Sequence, residues 1–83
     1  MAEGDYQVKE LLEHLAKALV DHPEQVRVAS REDERAVTLE LQVAPSDMGK
    51  VIGRHGRIAK SIRTVVSAAS VSEKKKVFVE IVE

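Results

Sequence analysis

Cysteine is absent from this 83-residue chain. That excludes disulfides, thiolate metal sites and a thiol nucleophile. Aromatic residues are nearly absent too, with Tyr6 and Phe78 the only two, so base stacking on interleaved aromatic rings is disfavoured. No apolar run approaches the roughly 18 residues of a membrane span. Met1-Ala2-Glu3-Gly4-Asp5 is acidic and polar where a secretory leader would be basic and then apolar. The expectation is a cytoplasmic protein with no membrane association. What is present is 43% apolar and 33% charged residues, enough for the core and the solvated surface of one small domain.

The net charge of −1 hides a polarised chain. Residues 1–47 carry five Lys/Arg and eleven Asp/Glu, a balance of −6, whereas residues 48–83 carry eight and three, a balance of +5. No acidic residue falls between Asp47 and Glu73, while Lys50, Arg54, Arg57, Lys60 and Arg63 all do. Local field, more than total charge, steers an anionic partner. On charge alone, an ordinary basic helix face explains the pattern equally well.

Hydrophobic periodicity divides the chain. Val8, Leu11, Leu12, Leu15, Leu19 and Val20 recur at helical spacing, which predicts an amphipathic helix over about 6–21 with Asp5 as its N-cap and Pro23 beyond its end. Val26-Arg27-Val28-Ala29 opens an alternating pattern that resumes after Arg31-Glu32-Asp33-Glu34 as Val37 to Val43, with odd positions apolar. The pattern reads as two strands in an antiparallel hairpin, without an Asn-Gly or Asp-Gly turn. Pro45 ends the second strand, and Ser46 with Asp47 starts a short helix reaching Ile52. A longer helix begins near Arg57, with Ile58, Ile62, Val65, Val66 and Ala69 as its stripe. The cluster Ser72 to Lys76 reads as a solubilising turn and Val77 to Val82 as a last strand rich in β-branched residues. Crossover handedness makes the second and third strands parallel. The expected class is α+β: helix, strand, strand, short helix, glycine loop, helix, strand, with three helices on one face of a three-stranded mixed sheet.

The chemistry concentrates at Gly53-Arg54-His55-Gly56. Two glycines in a tight connection permit positive φ and close approach of another backbone. The helix that follows presents amide groups and a positive dipole end to an anion, and basic residues stand on both sides. Glycines at 49, 53 and 56 are spaced G-x3-G-x2-G, unlike the dinucleotide fingerprint, which also needs a strand before it. A P-loop needs Lys then Ser or Thr after its last glycine, and Gly56 is followed by Arg57-Ile58.

Val51-Ile52-Gly53-Arg54-His55-Gly56-Arg57-Ile58 closely resembles the I-G-x-x-G signature of KH domains, which lies between two helices. The extra helix and strand ahead of that core resemble the type II form, and the whole chain resembles the small bacterial single-KH proteins of the KhpA group. The resemblance implies one KH domain over 1–83, with a core from about 24 and the N-terminal helix before it. It implies single-stranded RNA as ligand, its backbone held by Gly53 to Gly56 with Arg54 and His55 at the variable positions. Lys50, Arg57 and Lys60 would add charge, and Val51, Ile52, Ile58 and Ile62 would line a base groove, with hydrogen bonds from backbone near Leu41 to Val43. A role as RNA chaperone or post-transcriptional regulator follows, and a homodimer, or a heterodimer with a Jag-type (KhpB) KH protein. The alternative is a KH-fold dimerisation module with little RNA binding of its own. The helix from Arg57 favours that alternative, because Ala59, Ala68 and Val71 broaden its apolar face.

Other residues carry less. Arg63 is either a ligand contact or a solvated helix position, and His14 and His22 sit in the acidic half and read as exposed. His55 has no neighbouring ligands in sequence for a metal. No Ser, His and Asp arrangement suggests a triad, so neither an enzyme nor a cofactor is expected.

Overall fold

The computed structural model describes residues 3–70 and 75–82, with side chains from residue 8 onward. Helix α1 spans Glu3–Leu19, strands β1 Arg27–Glu32 and β2 Ala36–Gln42, helices α2 Met48–Ile52 and α3 Arg57–Ala69, and strand β3 Lys76–Val82. One-turn 3-10 segments occupy Pro23–Gln25, Pro45–Asp47 and Arg54–Gly56. The sheet order is β1-β2-β3, with β1 antiparallel to β2 and β2 parallel to β3, so the α+β class and the mixed three-stranded sheet are as expected.

The core follows from the two periodicities. Val37, Leu39 and Leu41 alternate inward from β2 and are almost fully buried. Val8, Leu12 and Ala16 recur every fourth residue along α1, and Ile62 and Val66 do so on α3. These meet Val51, Val26, Val43 and Val79 in one cluster, where each large aliphatic side chain contributes about 1.5–3 kcal/mol by leaving water. Leu19 and Val65, both expected on buried stripes, are instead 39% and 44% exposed. They flank an open apolar groove of 260 Å3 between α1 and α3, with Leu15, Ala18, Ile58 and Ile62.

Several boundaries differ from expectation. Helix α1 is already formed at Glu3, so Asp5 lies inside its first turns and is not the N-cap. Strand β1 begins at Arg27, because Val26 takes an extended position after the 3-10 turn, with its amide on Pro23. The strand runs on through Arg31 and Glu32, which sequence reading placed in the connection. The expected turn at Ser72 to Lys76 lies mostly outside the described residues, as does Val71, and Lys76 already belongs to β3.

The hairpin turn is built by one aspartate. The Asp33 carboxylate accepts from the Arg35 and Ala36 amides at 2.7 and 2.8 Å, and its own amide donates to the Ala36 carbonyl at 2.9 Å. An Asx arrangement of this kind substitutes for the missing glycine signal. The two amides hold the Asp33 carboxyl below its ordinary 3.8, so its stabilisation is complete above that pH and is lost as pH falls through the lowered value. Acid titration followed by NMR should therefore show the Arg35 and Ala36 amide signals moving together below about pH 4. Independent movement of the two would refute a shared carboxylate acceptor.

Candidate nucleic-acid interface

Helix α2 ends where Gly53 takes φ 76°, ψ 173°, a region that is essentially closed to residues with a Cβ. The Gly53 amide donates to the Gly49 carbonyl at 2.9 Å and the Gly56 amide to the Gly53 carbonyl at 3.1 Å. His55 (φ 57°) and Gly56 (φ 72°) are left-handed, and histidine is among the non-glycine residues that tolerate this best. The chain reverses within four residues and enters α3. An added Cβ at Gly53 would lie 2.5 Å from Ile58 Cγ1, whereas one at Gly56 would meet nothing within 4 Å. The first glycine serves both conformation and packing, the second conformation alone.

The start of α3 is electrostatically open. It has no side-chain cap and no acid in its first turn, so the positive end of its dipole has no local counter-charge. Arg54, His55, Arg57 and Lys60 are all exposed, and none of their side chains makes an ion pair or hydrogen bond among the described residues, the Ser61 and Thr64 hydroxyls donating only to the Arg57 and Lys60 carbonyls. Several cations elsewhere are engaged: Lys17 with Glu13 at 2.8 Å, Arg31 with Glu40 and Glu80, and Lys75 with Glu32. Arg54, Arg57 and Lys60 thus place a cluster of uncompensated positive charge on one loop and the helix behind it.

Not every expected residue joins that surface. Lys50 is held by the Asp21 carboxylate, with Asp47 Oδ1 3.8 Å away, and the bond to Asp21 raises the Lys50 pKa. The Val51 side chain is fully buried and Ile62 is 4% exposed, so both pack the core, and Ile62 shows only an edge, to the groove between α1 and α3. Ile52 is exposed and Ile58 half-buried, which leaves these two as apolar surface beside the loop. Of the backbone near Leu41 to Val43, Leu41 and Gln42 belong to the middle strand and align with β1 and β3 on either side, while Val43 lies just beyond its end. Arg63 is an exposed helix position, one of its two expected roles, and its Nε also donates to the Val79 carbonyl at 3.3 Å, tying α3 to β3.

Sequence reading missed the purpose of Asp47. Its side chain is 1% exposed and makes no cap bond to α2. Instead it accepts from the Asp21 amide at 3.2 Å and the His22 amide at 3.0 Å, fastening the segment after α1 to the start of α2. An aspartate before a helix is ordinary as a cap, so only the tertiary structure reveals the distant partners.

Comparison with known proteins agrees with this geometry. The model of the KhpA/KhpB KH domain matches residues 9–81. A Clostridium acetobutylicum protein named RNA-binding protein KhpA is 59% identical over 75 residues, covering 90% of this chain and all of that one. The Bacillus subtilis protein of the same name is 48% identical over 77 residues, covering 93% and 95%. A crystal structure of Aquifex aeolicus Era superposes with a TM-score of 0.67 at 17% identity, over 90% of this chain and 29% of that one, a likeness of fold alone. Its helix-loop-helix between parallel strands and its match over most of the chain place this protein in the KhpA/KhpB family of KH domains.

Proposed function

We propose that this protein is a non-catalytic, cytoplasmic single-stranded RNA binder whose Gly53–Gly56 loop grips the sugar-phosphate backbone, acting as an RNA chaperone or post-transcriptional regulator. The observation that carries this reading is the pair of unpaired, exposed cations Arg54 and Arg57, with the exposed His55 imidazole between them, at an uncapped, acid-free helix start. The naming of its relatives as RNA-binding proteins supports the same ligand. The chain acts as a single KH unit, with residues from about 24 onward as its core and the preceding helix as its support. Ile52 and Ile58 offer a small aliphatic surface to the first bases, so one copy binds weakly and with little base discrimination.

Replacing Arg54 and His55 together with aspartate should weaken binding of a short single-stranded RNA by at least about tenfold, since one attractive charge is lost and two repulsive ones are added. The thermal midpoint should stay within a few degrees, because both side chains are exposed. For the unaltered protein, log affinity should fall with log salt at a slope near −0.7 per phosphate neutralised. Unchanged binding by the double variant would refute the loop grip.

A dimerisation role has its own support in the exposed Leu19 and Val65 on the α1–α3 groove. A homodimer, or a heterodimer with a Jag-type (KhpB) KH protein, would cover that face and present two loops to one RNA. Val65→Asp should then shift the sedimentation coefficient toward the monomer at tens of micromolar, an affinity of about −6 kcal/mol. A wild-type chain that is already monomeric there would count against the homodimer.

A further inference from the structure

Lys50 lies one helical turn before Gly53 and shares its side of α2, at the entrance to the loop. It is also the one basic residue of the acid-free stretch whose ammonium meets carboxylates among the described residues. Those carboxylates come from outside the stretch. Asp47 pins the Asp21 and His22 amides, and this fixes the backbone from which the Asp21 side chain reaches Lys50. Asp47 is buried and cannot be exchanged for a ligand. Asp21, by contrast, has a side chain 69% exposed, and Lys50 one 43% exposed, so their pair opens to solvent and to any anion arriving at the loop.

We infer that Asp21 is an internal competitor for Lys50: its carboxylate occupies the ammonium that would otherwise take an RNA phosphate beside Gly53, and so sets the affinity of the site low. This rests on the reading that RNA lies along the Gly53–Gly56 loop. The chemistry suits exchange. A carboxylate and a phosphate oxygen make the same kind of bond to an ammonium, and lysine is a flexible point charge that can change partners without a fixed fork geometry. An exposed ion pair is weak, so it tempers phosphate binding without abolishing it. Asp47 acts here as a positioning residue, because without it the segment that carries Asp21 is not held over α2.

The test measures the binding of a fluorescein-labelled oligouridine of about eight nucleotides, twice the four-nucleotide KH grip, by anisotropy over a range of salt. Asp21→Asn keeps the backbone amide that Asp47 accepts and removes only the competing charge. It should tighten binding about two- to fivefold, the span of an exposed ion pair, and steepen the salt slope by about 0.7. Lys50→Met in the same chain should erase both gains. Glu34→Gln, which removes an exposed charge on the β1–β2 turn, should produce neither. Asp21→Ser is a second variant for use if the asparagine chain is poorly folded by circular dichroism.

Binding by Asp21→Asn equal to that of the unaltered chain would overturn the inference. So would a gain that persists in the Lys50→Met background, which would reveal only a change in the general field. The Arg54→Asp, His55→Asp chain separates the two levels. If it keeps its affinity, the loop reading itself fails; if it loses affinity while Asp21→Asn gains none, only the competitor fails.

Discussion

Alanine at Gly53 should lower stability by about 2–5 kcal/mol, while alanine at Gly56 should cost only about 1–2 kcal/mol. The two glycines of the loop are equivalent in the motif and unequal in the structure. At Gly53 the backbone is at φ 76°, ψ 173°, and a Cβ would lie 2.5 Å from Ile58 Cγ1 and 2.9 Å from Ile58 Cβ and Cδ1. Backbone strain and overpacking therefore add. Ile58 cannot retreat freely, since it packs against the core cluster. At Gly56, φ 72° and ψ 15° are ordinary left-handed values and the space is open, so only the conformational cost remains. In thermal unfolding of a domain this size, the Gly53 change should lower the midpoint by about 10 °C or more, and the Gly56 change by roughly half that. An Ile58→Ala background should reduce the Gly53→Ala cost toward its backbone part, the coupling expected of two groups in contact. Equal losses at the two glycines, or no coupling to Ile58, would contradict the packing described.

Much of this molecule was legible because it depends on local order. The alternation of Val37, Leu39 and Leu41 specifies an inward face whatever surrounds it, and all three are buried. The bounds of α3 follow from Gly56 before it and from its stripe. The loop was legible because two glycines and a basic flank have few other uses together. What escaped depends on partners far away in sequence. Asp47 was assigned to the start of its helix and Lys50 to the RNA site, yet their partners Asp21 and His22 are 25 to 29 residues earlier. Leu19 and Val65 share a helical period with core residues but lie at the edges of their stripes, where they stay 39% and 44% exposed. Strand β1 escaped in part because it is an edge strand with only Val28 half-buried. Its charged end at Arg31 and Glu32 is set by pairing with Thr38 and Val37, not by any pattern of its own.

Asp47→Ala should destabilise the fold by about 2–4 kcal/mol, the range for losing hydrogen bonds to a charged acceptor and leaving donors unpaired. No other described carboxylate is so fully buried. Its removal strands the Asp21 and His22 amides just where α1 gives way to the 3-10 turn at Pro23, and it takes one of the two carboxylates from Lys50. Asp47→Asn keeps one carbonyl oxygen for one of those amides, but its NH2 group cannot accept from the other, so about half the loss should return. Urea unfolding of the three chains measures this order, and an alanine variant within about 0.5 kcal/mol of the parent would show that the carboxylate is incidental. The pair of amides also sets where the damage falls. Hydrogen exchange in Asp47→Ala should quicken first at residues 21–25 and in α2, while the β2 amides keep the protection of the middle strand. If the exchange instead quickens uniformly, Asp47 serves the whole core and not the joint between α1 and the helix that carries the loop. A local pattern would tie the placement of the Gly53–Gly56 loop to a carboxylate that never touches it.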